Sequence, residues 1–166
     1  IYALIEIDDA KATREGLTSE NPRVLSGILR ALDGMRDSKL EVLDILPFLE
    51  SGDETLRETA LSIAAGHPEW DAALANAFFG WHEALDDTRR AALRRLVPAF
   101  ATSPPMADYL TSLVTSGDRT QESLGLELVS LSPGMAFQEA WAPPLERALG
   151  PAAEEDAALL ALSLAA

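Results

Sequence analysis

The stretch "ESGDETLRETAL", residues 50–61, contains a Ser-Gly-Asp that returns in "TSGDRTQESLGL" at residues 115–126. Aligning the two on Asp53 and Asp118 and reading eight residues on gives Leu61 and Leu126. The same step along the chain finds Leu29, Leu93 and Leu159, at intervals of 32, 32, 33 and 33 residues. The leucines carry their neighbours with them. Three residues further on stand Leu32, Ala64, Leu96, Val129 and Leu162, and one residue before stand Ile28, Ala60, Ala92, Gly125 and Ala158. A shared apolar stripe at a period of this length is the mark of a repeat array.

Within a unit the spacing is helical. Leu56, Ala60, Leu61 and Ala64 fall on one face at i, i+4, i+5 and i+8. Asn21 before Pro22 reads as an N-cap followed by a proline at the first helical position, and Asp53 and Asp118 read as caps after a glycine. A first helix precedes each of these. "SKLEVLDILPFLE" opens with Ser38-x-x-Glu41, a capping box; "PEWDAALANAFFGWHEAL" opens on Pro68; "PPMADYLTSLV" follows Ser103 as its cap. In "FQEAWAPPLERALG", Pro143 and Pro144 should break or restart the helix. The expected fold is all-α. It is a superhelix of about five helical hairpins spanning residues 1–166, with second helices starting near 21, 53, 85, 118 and 151.

The pattern in "DETLRETALSIA" (Asp53 to Ala64) resembles the second helix of HEAT-type repeats, in the armadillo-like solenoid class: Asp53, aliphatic Leu56, Arg57, small Ala60 and Leu61. "NPRVLSGILRAL" matches with Asn21 for Asp and Val24 for the aliphatic, and has Leu25 where Arg is usual. Arg89 takes the Arg place in the third unit, whose Asp place is Leu85, while Glu122 and Glu155 replace the Arg in the last two. The resemblance implies a HEAT-like solenoid and leaves function open. "GDETLRETALSIAAGHPEW" also resembles helical-repeat regions of large bacterial proteins that carry a membrane-bound-dehydrogenase-like propeller and a c-type haem domain. That likeness implies a spacer or regulatory segment of a redox enzyme, with a periplasmic location. Both ends of the chain read as cut, as in a fragment of a longer protein.

Composition narrows the chemistry. The chain has 27 acidic and 13 basic side chains, a formal charge of −14, which repels nucleic acid and anionic membrane at long range. There is no cysteine, hence no disulfide, thiolate zinc site or haem-attachment motif. No apolar run is long enough to insert in a membrane. His67 and His82 lack ligand spacing, no G-x-S-x-G or phosphate loop occurs, and the acidic clusters are explained by helix starts. No cofactor, metal or catalytic residue is expected. Some HEAT-like folds are DNA glycosylases or bilin lyases, but a DNA-acting version wants a continuous basic groove. Here the last seventy residues hold only Arg119 and Arg147.

The sharpest local feature is "DDTRRAALRRL", residues 86–96, in which the four residues Arg89, Arg90, Arg94 and Arg95 fall within a span of seven positions. With Arg57 one unit away, these could form a basic strip that receives an acidic protein, peptide or neighbouring domain, because planar guanidinium groups suit carboxylates. Alternatively, Arg57 and Arg89 bridge repeats by pairing with caps such as Asp53 or Asp86, and the others are solvated helix-face charges. In the cluster Phe78, Phe79 and Trp81, an exposed ring would be an interface anchor, with Trp81 the best suited by residue type; buried rings would be interhelical core. The function expected is a non-catalytic interaction scaffold.

Overall fold

The computed structural model describes residues 9–35 and 40–149. Among these, every regular element is helical and no strand occurs. We number the α-helices α1 (Ala10–Glu15), α2 (Pro22–Gly34), α3 (Val42–Leu49), α4 (Glu54–Ala65), α5 (Asp71–Trp81), α6 (Asp87–Leu96), α7 (Pro104–Val114), α8 (Arg119–Ser130) and α9 (Ala142–Leu149). The second helices expected near 21, 53, 85 and 118 are α2, α4, α6 and α8. The fifth, near 151, lies outside the described residues.

The two Ser-Gly-Asp marks each close a bond from serine to aspartate ahead of a helix. Ser51 Oγ accepts the N–H of Asp53, and Ser116 Oγ that of Asp118, each at 3.2 Å. Each aspartate then caps its helix: Asp53 accepts from Leu56 N at 2.9 Å, and Asp118 from Thr120 N and Gln121 N at 2.9 and 3.0 Å. Asn21 does the same for Arg23 N at 3.0 Å. These bonds satisfy N–H groups that a helix start leaves without partners. Gly117 sits at φ +77°, in the left-handed region, and Gly52 does not.

One start differs from expectation. α3 begins at Val42, with Glu41 extended (φ −111°, ψ 154°) as its N-cap. Asp44 Oδ2 accepts the Glu41 N–H at 2.9 Å, so the reciprocal cap expected at Ser38 and Glu41 falls three residues later; Ser38 lies outside the described residues. At the other end of the chain Pro143 and Pro144 fall in the first turn of α9, where a missing N–H costs nothing.

The described residues fall into two units. The first comprises residues up to Trp70 with Asp87–Ala92; the second comprises Asp71–Asp86 with the residues from Leu93 on. In the first, α1 packs on α2, α2 on α4 and α3 on α4. Ile28, Ala31, Leu32 and Met35 form an apolar cluster that also takes in half-buried Ala10, Leu17 and Leu40. Arg30 Nη2 donates to Thr59 Oγ1 at 3.2 Å across α2 and α4, and Arg14 pairs with Asp44 across α1 and α3.

In the second unit α5 packs on α7 and α7 on α8. Phe78, Met106, Tyr109, Leu110, Leu113 and Leu128 are fully enclosed. Trp141, from the 3₁₀ turn Glu139–Trp141, is enclosed as well and its Nε1 donates to Thr111 Oγ1 at 3.0 Å.

Burial follows the repeat, with one shift. Ile28, Ala60, Ala92 and Gly125 are all buried, as are Leu32, Ala64, Leu96 and Val129. Leu29, Leu61 and Leu93 are buried too, but Leu126 is only half-buried, and Leu159 lies outside the described residues. The expected row of leucines is thus corrected at α8. That helix seats through Leu124, Gly125, Leu128 and Val129. A helical step of about 100° turns Leu126 off this face.

Candidate functional site

The arginines foreseen as a basic strip are distributed over the two units and largely engaged within the chain. In the first unit, Arg57 Nη1 donates to the backbone oxygen of Ser51 at 2.7 Å. Arg89 bonds the Glu50 carboxylate through Nε at 2.8 Å and Nη2 at 2.7 Å. Both cations therefore gather at the C-terminal end of α3, where unpaired carbonyls and the helix dipole favour positive charge. Arg89 thus reaches the preceding hairpin at Glu50, as the bridging alternative has it, whereas Arg57 stays within its own hairpin at Ser51. Arg90 is half-buried, and no hydrogen bond or ion pair involves it among the described residues.

In the second unit, Arg94 embraces Glu127 with Nε at 2.6 Å and Nη2 at 3.2 Å. Arg95 is exposed, and Arg147 meets Glu122 at 3.0 Å. Trp81 is buried at 7% exposure, tilted against Phe78 with ring centroids 5.0 Å apart, so it belongs to the core. The exposed ring of this helix is Phe79, at 41%.

The histidines have opposite settings. His67 stacks on Trp70, and its Nε2 and Nδ1 meet Asp33 Oδ1 at 2.8 Å and Glu69 Oε1 at 2.6 Å. Burial works against its charge, but hydrogen bonding and attraction from the two carboxylates prevail and raise its pKa. His82 lies among the rings of Phe79 and Tyr109, its Nε2 buried with no hydrogen-bond partner among the described residues, and burial lowers its pKa. The Tyr109 hydroxyl is also buried with no partner among the described residues, and its pKa is pushed up by desolvation. No group of three or more metal-ligating side chains is found among the described residues. No helix among them is long and apolar enough to cross a membrane.

Two open depressions of the second unit meet at the first turn of α7. One, of about 320 Å³, lies between α5 and α7 over Ala75, Asn76, Phe79 and Pro105. The other, of about 380 Å³, lies over Thr102, Ala107, Met135 and Gln138. Pro104 and Asp108 line both.

No family model, curated protein or solved structure matches the chain.

Sequence reasoning took Ser103-Pro104-Pro105 as a helix start and nothing more, and it passed over Asp108. An acid four residues into a helix that begins with two prolines carries no periodic signal. Only the packing of α5 on α7 and the loop at Gly134 (φ +88°) gives it a surface to serve.

Proposed function

We propose that this chain is a non-catalytic interaction scaffold: a HEAT-like superhelix of stacked hairpins whose surface receives a peptide, a protein or a neighbouring domain. The observation that carries the reading is the agreement between repeat and burial. At two of the three ruler positions, all four described units bury the residue that the period selects. The contacts run in the same sense: α3 and α4 form a hairpin whose second helix lies on α2, and α7 and α8 form another. Hairpins that lend their apolar stripes to their neighbours present repeated outer faces, which suit extended partners.

A selection from a displayed random-peptide library tests this reading. The folded chain is expected to enrich a sequence class whose binding disappears on thermal unfolding. Failure to enrich any class above an unrelated helical protein would overturn the scaffold reading.

A further inference from the structure

From the chemistry around the first turn of α7, we propose that the two depressions meeting at Asp108 form one trough for a basic peptide segment, with a Lys or Arg at its centre and apolar side chains on either side. This rests on the scaffold reading and names the partner class.

Among the described residues, Asp108 is the only charged side chain lining either depression, and it lines both. It is exposed, and no hydrogen bond or ion pair holds it among the described residues. A carboxylate left free at the junction of two mainly apolar hollows attracts a cation. An anion is disfavoured there, although helix starts commonly bind them. Pro104 and Pro105 have no N–H to offer, Met106 N donates to Ser103 Oγ at 3.4 Å, and Ala107 N donates to Ser103 O at 3.0 Å. The donors of this helix start are absent or engaged.

The apolar flanks are equally specific. Phe79, 41% exposed, lines the first hollow. Ala101, Ala107, Met135 and Ala136 line the second. The amides of Asn76 and Gln138, one in each hollow, can meet the backbone of an extended segment. Residues 1–8 and 150–166 contain no Lys or Arg, so neither of these segments is the occupant. A second copy brings a further charge of −14 and is repelled.

The test uses fluorescein-labelled peptides in which one Arg is separated from Leu on each side by one to three glycines, with Arg→Glu versions as controls. Anisotropy is read at low and at 0.5 M salt. The Arg peptides are expected to bind and the Glu versions not. Asp108→Lys weakens binding about tenfold or more and Asp108→Asn about threefold, since an exposed ion pair is modest. Phe79→Ala weakens it several-fold, whereas Glu58→Lys, an exposed reversal in the other unit, changes it less than twofold. Circular dichroism confirms that each variant is folded. Equal losses from Glu58→Lys and Asp108→Lys would mean general attraction to an acidic protein and would overturn the trough. So would equal binding of spermine and the peptides, or binding by the Glu versions. Library selection separates the two readings: enriched peptides indifferent to Asp108→Lys end the trough and leave the scaffold, whereas no enrichment ends both.

Discussion

Gly125 lies so close to Val114 that a β-carbon added to it would stand 2.7 Å from Val114 Cγ2 and 2.9 Å from Val114 N. The backbone of α8 touches that of α7 at the ruler position where other units carry Ile28, Ala60 and Ala92. Alanine favours a helix over glycine by about 1 kcal/mol, but the backbone clash forces the helices apart. Gly125→Ala is expected to destabilise the second unit by about 1–3 kcal/mol, and Gly125→Val by more. Urea unfolding followed by circular dichroism checks it; an increase in stability would contradict the contact.

Leu61 and Leu126 hold the same place in the repeat and differ in burial. Leu61→Ala removes an enclosed side chain and should cost about 2–5 kcal/mol. Leu126→Ala, from a half-buried site, should cost about 1 kcal/mol. The difference in urea midpoint between the two variants is the readout, and equal costs would contradict the rotated seating of α8.

His67 gives stability that depends on its proton. Its pKa in the folded chain is raised above the unfolded value of 6.5, so the contribution is full below 6.5 and is lost as pH rises through the folded pKa. On the acid side Glu69 holds its charge to lower pH than usual because His67 hydrogen-bonds to it. The chain should exceed His67→Gln in melting temperature most near pH 6 and least near pH 9. The gap at its widest should correspond to about 1 kcal/mol.

His82 acts with the opposite sign. Its folded pKa is lowered, so the unfolded chain takes up a proton first as pH falls below 6.5, and stability drops. His82→Gln should therefore lose less stability than the parent between pH 7 and pH 5. Melting curves across that range decide it, and parallel losses would show that the imidazole is not the group being titrated.

Much of the helical frame was legible because the signals are local. Caps at Asn21, Asp53, Ser103 and Asp118, and small residues at Ala60, Ala92 and Gly125, state their roles within one turn of chain. The leucine row misled at Leu126 because period selects a position, whereas seating selects a face. Gly125 decided the face. The arginines were legible as a cluster but not as pairs: Glu50 lies 39 positions from Arg89, and Glu127 lies 33 from Arg94. Trp81 and Phe79 are two residues apart, and only the packing of α5 on α7 says which ring is enclosed. The trough at Asp108 is a product of folding alone, since its walls come from α5, the start of α7 and the loop at Gly134.

The two Ser-Gly-Asp turns share the serine-to-aspartate bond but tolerate change unequally. A β-carbon at Gly52 would meet nothing within 4 Å, and the backbone there suits any residue, so alanine at that place should be harmless or add about 0.4–1 kcal/mol. At Gly117 the left-handed backbone bars most side chains. Over descent, therefore, the glycine of the earlier turn is free to drift while that of the later one is held, and the likeness between the two tripeptides should fade from one side only.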